Sequence, residues 1–189
     1  KIKIIPNWKV NEGDGAFYGP KIDVKIKDSF KREHQLGTVQ LDFNLPERFN
    51  LKYKTEDGYE QPVLIHRAVL GSFERFIGVL IENYSGRLPL WLAPSQVVVC
   101  SITSDVNSYA QDINKKLLDL GIRTKIDIRN EKISYKIREH SNKKVPNIVI
   151  LGKQEAELNT VTIRKLGSRE KYSYLLKDYL SEIIKEAHK

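Results

Sequence analysis

Residues 63–84 have the sequence VLIHRAVLGSFERFIGVLIENY, and the spacing of their apolar residues changes at Gly71. Before Gly71, the apolar run around His66 is typical of a short strand. After Ser72, a residue type that often caps helices, the apolar residues follow the i, i+3, i+4, i+7 spacing of one helix face. This face comprises Phe73, Phe76, Ile77, Leu80, Ile81 and Tyr84. The stretch therefore predicts a strand followed by a helix.

Two upstream segments, residues 22–27 and 36–43, alternate apolar and polar residues. A period of two is typical of half-buried strands. In the second segment Thr38, Gln40 and Asp42 share one face, which could line a polar pocket or form an ordinary solvated surface. The first part of the chain is therefore predicted to be α+β, with antiparallel strands followed by a helix.

The prolines at positions 89 and 94 indicate the boundary of a second unit. Strand patterns alternate here with amphipathic segments that predict helices, which is typical of an α/β fold with a mixed, mainly parallel sheet covered on both faces. The strands are predicted over 96–102, 122–128, 147–151 and 160–166, and the helices over 106–120, around 133–137 and over 172–187. We predict two domains, residues 1–91 and 92–189.

Composition narrows the class of protein. One cysteine in 189 residues excludes an intramolecular disulfide framework and fits a reducing, cytoplasmic setting. No apolar run approaches the roughly 18 residues of a membrane span. The chain has no methionine, so we expect its natural start to lie upstream. Walker, Rossmann, HExxH and GxSxG motifs are also absent.

The net charge of +8 is concentrated in the second half of the chain. Residues 1–91 contain 14 Lys and Arg against 12 Asp and Glu, a difference of +2, whereas residues 92–189 contain 18 against 12, a difference of +6. Lysine and arginine neutralise phosphates and release condensed counterions, so this excess predicts a polyanionic partner. A soluble basic surface would have the same composition.

The segment 129–144, RNEKISYKIREHSNKK, is the most basic part of the second half. Lys132, Lys136 and Lys143 are predicted to lie near one face of a helix whose other side carries Ile133 and Ile137. Such a run usually forms a solvated face. The interleaved Asn130, Tyr135 and His140 can hydrogen-bond to or stack on bases, which favours RNA.

Three single residues have competing interpretations. His66 on an apolar strand is more often a hydrogen-bonded structural residue than a metal ligand. Arg75 is predicted in the first turn of a helix, where the helix dipole disfavours a cation by about 0.3–1 kcal/mol. A cation at that position hints at a bound ligand. Cys100 lies in a buried strand pattern and is best interpreted as a small apolar residue.

Five segments carry a more specific signal: GAFYGPK at 15–21, QLGTVQLDF at 35–43, IHRAVLGSFERF at 65–76, WLAP at 91–94 and RNEKI at 129–133. In type, order and spacing they resemble threonyl-tRNA synthetases, and the third resembles motif 3 of the class II enzymes. The resemblance implies the C-terminal part of a class II catalytic domain, built on an antiparallel sheet, followed by an anticodon-binding domain.

For the first domain, the resemblance implies a ligase that activates threonine with ATP and magnesium and transfers it to the 3′ end of threonine tRNA. Arg75 and Lys21 match catalytic positions, and Arg75, Gln40 and Ser72 match ATP-binding positions. His66 matches one of three zinc ligands, with the amino and hydroxyl groups of threonine completing the metal shell. The matched substrate positions are Tyr18, Gln35, Thr38, Gln40 and Ser72.

For the second domain, the resemblance implies that Asn130, Glu155 and Arg164 read anticodon bases. The family works as a cytoplasmic homodimer, and its editing region, motifs 1 and 2 and two further zinc ligands match nothing here. We therefore expect the fragment to be inactive alone. Leu36 replaces a cysteine often found there, which should leave the chemistry intact. The alternative is a synthetase-like tRNA-binding or regulatory protein without catalysis.

Overall fold

The computed structural model describes residues 8–187. The chain forms two compact units that divide between Asn83 and Tyr84. This division lies upstream of the boundary predicted between residues 91 and 92, which stays a prediction. No helix among the described residues is long and apolar enough to cross a membrane.

The first unit contains an antiparallel sheet with the strand order β1–β2–β5. A separate hairpin formed by β3 and β4 and two helices complete the unit. The elements are β1 (Lys21–Lys27), β2 (Glu33–Asp42), α1 (Asn44–Arg48), β3 (Tyr53–Thr55), β4 (Gly58–Glu60), β5 (Leu64–Ala68) and α2 (Phe73–Asn83). The predicted change from strand to helix at Gly71 and Ser72 is confirmed.

The apolar face predicted for α2 is exposed in this chain. No residue of α2 is buried, and Phe73 is 70% exposed. Ile22 and Val24 on β1 and Ile65 on β5 are exposed as well. The first unit therefore presents apolar surface both on its sheet and on its last helix.

The second unit is built on a mixed five-stranded sheet with the order β10–β9–β8–β6–β7. Strand β6 pairs in parallel with β7 and β8, whereas β8–β9 and β9–β10 are antiparallel. The elements are β6 (Val97–Ser101), a short 3-10 helix (Ser104–Val106), α3 (Asn107–Asp119), β7 (Thr124–Asp127), α4 (Ile133–Asn142), β8 (Asn147–Leu151), α5 (Lys153–Leu158), β9 (Thr160–Lys165), β10 (Tyr172–Leu175) and α6 (Leu176–Ala187). The predicted order of α+β followed by α/β is confirmed.

Both faces of this sheet are covered by helices. Val97 and Val99 of β6 point toward α3 and α6, in a core that also contains Ile113 and Ile183. Val98 and Cys100 point to the opposite face, where Ile137 of α4 covers them. Alternate residues of one strand thus serve two cores, which explains why β6 is an almost continuous apolar run.

The segment that begins at Tyr172 corrects one prediction. Tyr172 and Leu175 were expected in the last helix, but residues 172–175 form β10, an edge strand paired with β9. The helix begins only at Leu176, whose N–H donates to the carbonyl oxygen of Asn159. Tyrosines suit a pleated surface, and pairing with β9 outweighs the helical spacing of these residues.

Candidate functional site

Three strands of the first unit place Lys21, Gln40 and His66 in one row. Lys21 on β1 is the direct partner of Gln40 on β2, and Gln40 is the direct partner of His66 on β5. Residues directly opposite each other on neighbouring strands point to the same face of a sheet. The structure therefore brings these three predicted site residues together on one surface.

Tyr18 joins this row from the turn before β1. Its hydroxyl donates to Oε1 of Gln40, and its ring lies edge-on to the His66 ring with centroids 6.0 Å apart. The approach is close, since a Cβ added at Gly19 would lie 2.3 Å from the carbonyl oxygen of Leu41. A glycine here lets the backbone pack against β2 and so positions Tyr18.

His66 is held by Asp42, a residue that sequence reasoning placed on the polar face but did not assign to the site. The His66 Nε2 lies 2.7 Å from Asp42 Oδ2, with the His66 side chain 45% exposed and that of Asp42 only 2% exposed. Burial alone would raise the pKa of Asp42, but hydrogen bonds from the backbone N–H of Leu45 and from His66 hold it below its ordinary value. With Nε2 engaged, Nδ1 is the ring nitrogen left for another partner.

Lys21 and Gln35 share a second carboxylate that was not predicted, Asp23. Lys21 Nζ lies 3.0 Å from Asp23 Oδ2, and Gln35 Nε2 donates to Asp23 Oδ1 at 2.7 Å. Burial would raise the pKa of Asp23, but the hydrogen bond from Lys21 lowers it. Thr38 is the direct strand partner of Asp23. Asp23 and Asp42 thus anchor the polar residues on this face.

The start of α2 lies beside the same strand. Ser72 Oγ accepts the backbone N–H of Arg75, as predicted for an N-cap, and Arg75 Nη1 donates to the carbonyl oxygen of Gln35 at 3.0 Å. Gly71 has a φ of +65°, and a Cβ there would lie 2.7 Å from the carbonyl oxygen of Leu36. Only glycine permits the backbone at position 71 to pass this close to the backbone of Leu36. All eight predicted site residues of this unit therefore lie in one connected neighbourhood.

The predicted residues of the second unit lie on the α4 side of its sheet. Asn130 is exposed in the loop between β7 and α4. Glu155 accepts the N–H of Gly152 and the hydroxyl of Thr162, both at 2.8 Å, so it closes the first turn of α5. Arg164 follows Thr162 by two residues on β9 and therefore points to the same face. Its Nε donates to the carbonyl oxygen of Ser168 at 3.2 Å.

The basic face predicted for α4 is only partly present. Lys136 is fully buried, and its Nζ donates to the carbonyl oxygens of Ser101 and Asp127 at 2.9 and 3.1 Å. His140 is also buried, with Nε2 2.8 Å from Asp127 Oδ2. The prediction that Lys136 and His140 face RNA is therefore wrong. Lys143 is exposed but is paired with Glu139.

The buried side chains converge on Asp127, which sequence reasoning also missed. Its carboxylate accepts from Arg129 as well as from His140, and Arg129 in turn bonds Glu139. The hydrogen bond from Arg129 holds the pKa of Asp127 well below its ordinary value, although burial opposes the shift. These contacts fix the start of the loop that carries Asn130.

One group in the second unit has the residue types of a metal site. Ligand atoms of Cys100, Asp127 and His140 lie within 4.8 Å of one another, and all three residues are buried. However, burial raises the pKa of the Cys100 thiol to about 12, and metals bind the thiolate. Lys136 places its ammonium group 3.9 Å from Asp127 Oδ1. The arrangement fits a structural network better than a metal centre.

Two family models match the chain, one on each unit. Residues 2–84 match the tRNA synthetase class II core domain (G, H, P, S and T), and residues 96–186 match the anticodon binding domain. The first match contains every predicted site residue of the sheet face, and the second contains Asn130, Glu155 and Arg164.

Individual proteins give a consistent result. The chain is 55% identical over 179 residues to a threonine–tRNA ligase from Chelativorans sp., covering 94% of this chain and 27% of that protein. It is 51% identical to one from Fusobacterium nucleatum, covering 98% of this chain and 30% of that protein. The RNA binding domain of threonyl-tRNA synthetase from Cryptosporidium parvum is 40% identical, with a TM-score of 0.89 over 97% of this chain and 47% of that one. The chain thus spans less than a third of the length of the two curated threonine–tRNA ligases.

Proposed function

Because the chain belongs to the threonyl-tRNA synthetase family of the class II aminoacyl-tRNA synthetases, we propose that it is part of a threonine–tRNA ligase. The complete protein would activate threonine with ATP and magnesium and transfer it to the 3′ end of threonine tRNA. It would act as a homodimer in the cytoplasm. Because the chain spans 27% of a close relative, the fragment alone would not catalyse the reaction.

The observation that carries this proposal is the row Lys21–Gln40–His66 with Tyr18 beside it. A cation, an amide, an imidazole and a phenol on one face can bind a small zwitterion with a polar side chain. Tyr18 and Gln40 would orient the amino acid, and Lys21 would neutralise negative charge near the carboxylate. Gln35 and Thr38 would extend the same polar surface.

The residues present fit the zinc site that the family implies. His66 can offer Nδ1 while the buried Asp42 holds Nε2, and a metal-bound histidine usually has such a carboxylate or carbonyl partner. Zinc, held with ligands from outside this chain, would supply a Lewis acid that selects for the threonine hydroxyl. Such a site rejects valine, which is similar in shape but lacks that oxygen, better than an apolar pocket can.

Arg75, Ser72 and Gln40 would bind ATP. Arg75 gains little from its helix, since a cation in the first turn opposes the helix dipole. Its hydrogen bond to the carbonyl oxygen of Gln35 holds the guanidinium beside the first part of β2. There it can stack on the adenine and offset phosphate charge.

In the second unit, Asn130, Glu155 and Arg164 would contact anticodon bases. An exposed amide, a half-buried carboxylate and a guanidinium can hydrogen-bond base edges, which carry sequence information. Glu155 also holds the N–H of Gly152, so the substitution Glu155→Gln, which retains an acceptor oxygen, is the conservative test of this residue.

Two histidine–aspartate pairs of the first unit provide a matched test of the zinc proposal. In the complete protein that contains this chain, we expect His66→Ala to abolish stoichiometric zinc and threonine-dependent pyrophosphate exchange. His34→Ala removes a similar bond, 2.9 Å long, to the buried Asp28, and we expect it to retain both. Zinc analysis and exchange assays would measure the two effects separately.

The same assays separate the ligase from its alternative. A complete protein that binds threonine tRNA but forms no adenylate would be a synthetase-like RNA-binding or regulatory protein. Zinc retained at full stoichiometry in His66→Ala would make His66 a structural residue.

The anticodon proposal is tested with threonine tRNA and with a tRNA of unrelated anticodon. Asn130→Ala should weaken binding of threonine tRNA by about 1–3 kcal/mol and leave the other tRNA unaffected. Asn142→Ala, at the exposed end of α4, is the matched control and should change neither. Equal losses for both tRNAs would exclude base reading by Asn130.

A further inference from the structure

A cavity of about 270 Å³ opens in the second unit, between the end of α4, strand β9 and the turn after β9. Its lining includes Leu166, two serines and a glycine, and contains no Asp or Glu. Pockets for drug-sized ligands are mostly apolar, so this composition fits a small anionic group instead. The remaining lining residues are four cations: Arg87, Lys144, Arg164 and Arg169.

Within residues 8–187, none of the four cations forms an ion pair with a carboxylate. A Cβ added at Gly167 would lie 3.6 Å from Nη1 of Arg87, so this guanidinium passes close to bare backbone. Like charges gathered in one cavity repel one another, and a bound anion would relieve that repulsion.

Lys144 lies at a backbone position that glycine normally occupies. Its φ is +58°, and it follows the C-cap of α4, Lys143. The N–H groups of Lys144 and Val145 donate to the carbonyl oxygens of Ser141 and His140, which is the Schellman arrangement. A lysine in this left-handed conformation is strained, and such strain often marks a functional side chain. Here the side chain lines the cavity.

The cavity is continuous with the proposed anticodon surface. Arg164 belongs to both, since it lines the cavity and shares one face of β9 with Thr162, the partner of Glu155. Residues two apart on a strand are about 7 Å apart. An RNA strand whose base meets Glu155 can therefore bring its backbone to the cavity within one nucleotide or two.

We propose that this cavity binds a backbone phosphate of the RNA whose bases contact Asn130, Glu155 and Arg164. The inference rests on the proposed tRNA-binding function and adds a sequence-independent contact to it. Arg87, Lys144 and Arg169 hold the phosphate, and Arg164 links this contact to base reading. Phosphate contacts fix the register of RNA on a protein without reading its sequence.

The test uses the 189-residue chain, a threonine tRNA transcript and a transcript with an unrelated anticodon. Lys144→Gly and Arg169→Ala should each raise the Kd for both tRNAs by the same factor, about fivefold to tenfold near 0.1 M salt, and lower the salt slope by about 1. Lys144→Gly should fold at least as stably as the wild type, because glycine adopts a positive φ without strain. Lower affinity in that variant is therefore not a sign of misfolding.

The matched control removes two cations from the opposite side of the sheet. Lys115 and Lys116 on α3 are exposed and form no ion pair within the described residues, so the double alanine variant should leave Kd and slope near the wild-type values.

If the wild type selects threonine tRNA but the cavity variants match it in Kd and slope, the phosphate site is refuted and the proposed function stands. If the wild type binds neither tRNA, the anticodon contacts proposed for this chain and the phosphate site are both refuted. A loss confined to threonine tRNA would also refute the phosphate site, since it would indicate base contacts.

Discussion

At the scale of single residues, the bond between His66 and Asp42 decides how the imidazole is presented. Asp42 is anchored independently, because its Oδ1 accepts the N–H groups of Asn44 and Leu45 at the start of α1. Its other oxygen, Oδ2, holds His66. The ring orientation therefore depends on a buried carboxylate that α1 keeps in place.

We expect Asp42→Asn in the complete protein to weaken zinc binding about 10- to 100-fold, as is typical when the outer partner of a metal-bound histidine is lost. Competition with a chelator would measure the affinity. Asp28→Asn alters the other histidine–aspartate pair of this unit and should leave zinc affinity unchanged. Wild-type affinity in Asp42→Asn would mean that the bond does not orient His66.

Part of this site was predictable residue by residue. The alternation over 36–43 places Thr38, Gln40 and Asp42 on one face without any structure. The pairing of Gln40 with His66 was not predictable, because strand register between distant segments depends on tertiary packing. For the same reason, the contacts of Asp23 with both Lys21 and Gln35 were not predictable.

At the scale of elements, Asp127 connects the end of β7 to α4 and to the loop before it. Removing one partner from a buried charged network costs about 3–5 kcal/mol, because the other charge is left uncompensated. Here the partner left behind is the fully buried Lys136. The network explains why a lysine in the middle of an amphipathic helix can face the sheet.

We expect Asp127→Asn to lower the unfolding free energy at neutral pH by about 3 kcal/mol. The native pKa of Asp127 is depressed, so its stabilising effect is complete above the ordinary value of 3.8 and is lost as the pH falls below that value toward the native pKa. Wild-type stability should therefore fall steeply in acid, and the variant should show a shallower dependence. Urea unfolding at several pH values would measure both.

The exposed Asp119 at the end of α3 provides the control, and Asp119→Asn should follow the wild-type curve. If the unfolding free energies of wild type and Asp127→Asn fell equally as the pH is lowered, the Asp127 carboxylate would not be the group that stabilises the fold above pH 3.8.

Secondary structure was largely predictable where one periodicity dominates. The strand over 147–151 is confirmed to the residue, and the strand and helix around Gly71 agree closely with the prediction. Segment 172–175 was not predictable, because Tyr172 and Leu175 fit the helical spacing and only pairing with β9 makes them a strand. The prediction for Lys136 was wrong for a similar reason. Its charge suggested a solvent-exposed side chain, but carbonyl oxygens of β6 and β7 accept its ammonium group and allow it to be buried.

At the scale of the whole molecule, the two units differ in how they bury apolar surface. The two hydrophobic cores found among residues 8–187 both belong to the second unit. The first unit leaves the apolar face of α2 and part of its sheet exposed. Folding driven by apolar burial should therefore be cooperative in the second unit and weak in the first when either is isolated.

We expect a fragment of residues 84–189 to unfold cooperatively in urea and a fragment of residues 1–83 to show no cooperative transition. A fragment of residues 92–189, cut at the predicted boundary, should fold but be less stable than 84–189 by about 1–3 kcal/mol, because it lacks Leu90. Leu90 packs against the core, and its carbonyl oxygen accepts from Gln96. Equal urea midpoints for fragments 84–189 and 92–189 would mean that Leu90 does not stabilise the second unit, and would place the domain boundary after Leu90.

The single cysteine of the chain can serve as a chemical probe of local opening in the second unit. Cys100 has no exposed surface on β6, and its thiol pKa of about 12 keeps the thiolate scarce near neutral pH. An alkylating reagent can therefore reach it only during openings that separate α4 from the sheet. Because no other residue reacts in the same way, the labelling rate reports the opening frequency of this unit alone. RNA that binds across α4 and β9 should lower the rate of Cys100 alkylation without contacting the cysteine. Mass spectrometry of the alkylated protein would therefore report both the opening of this unit and the binding of tRNA.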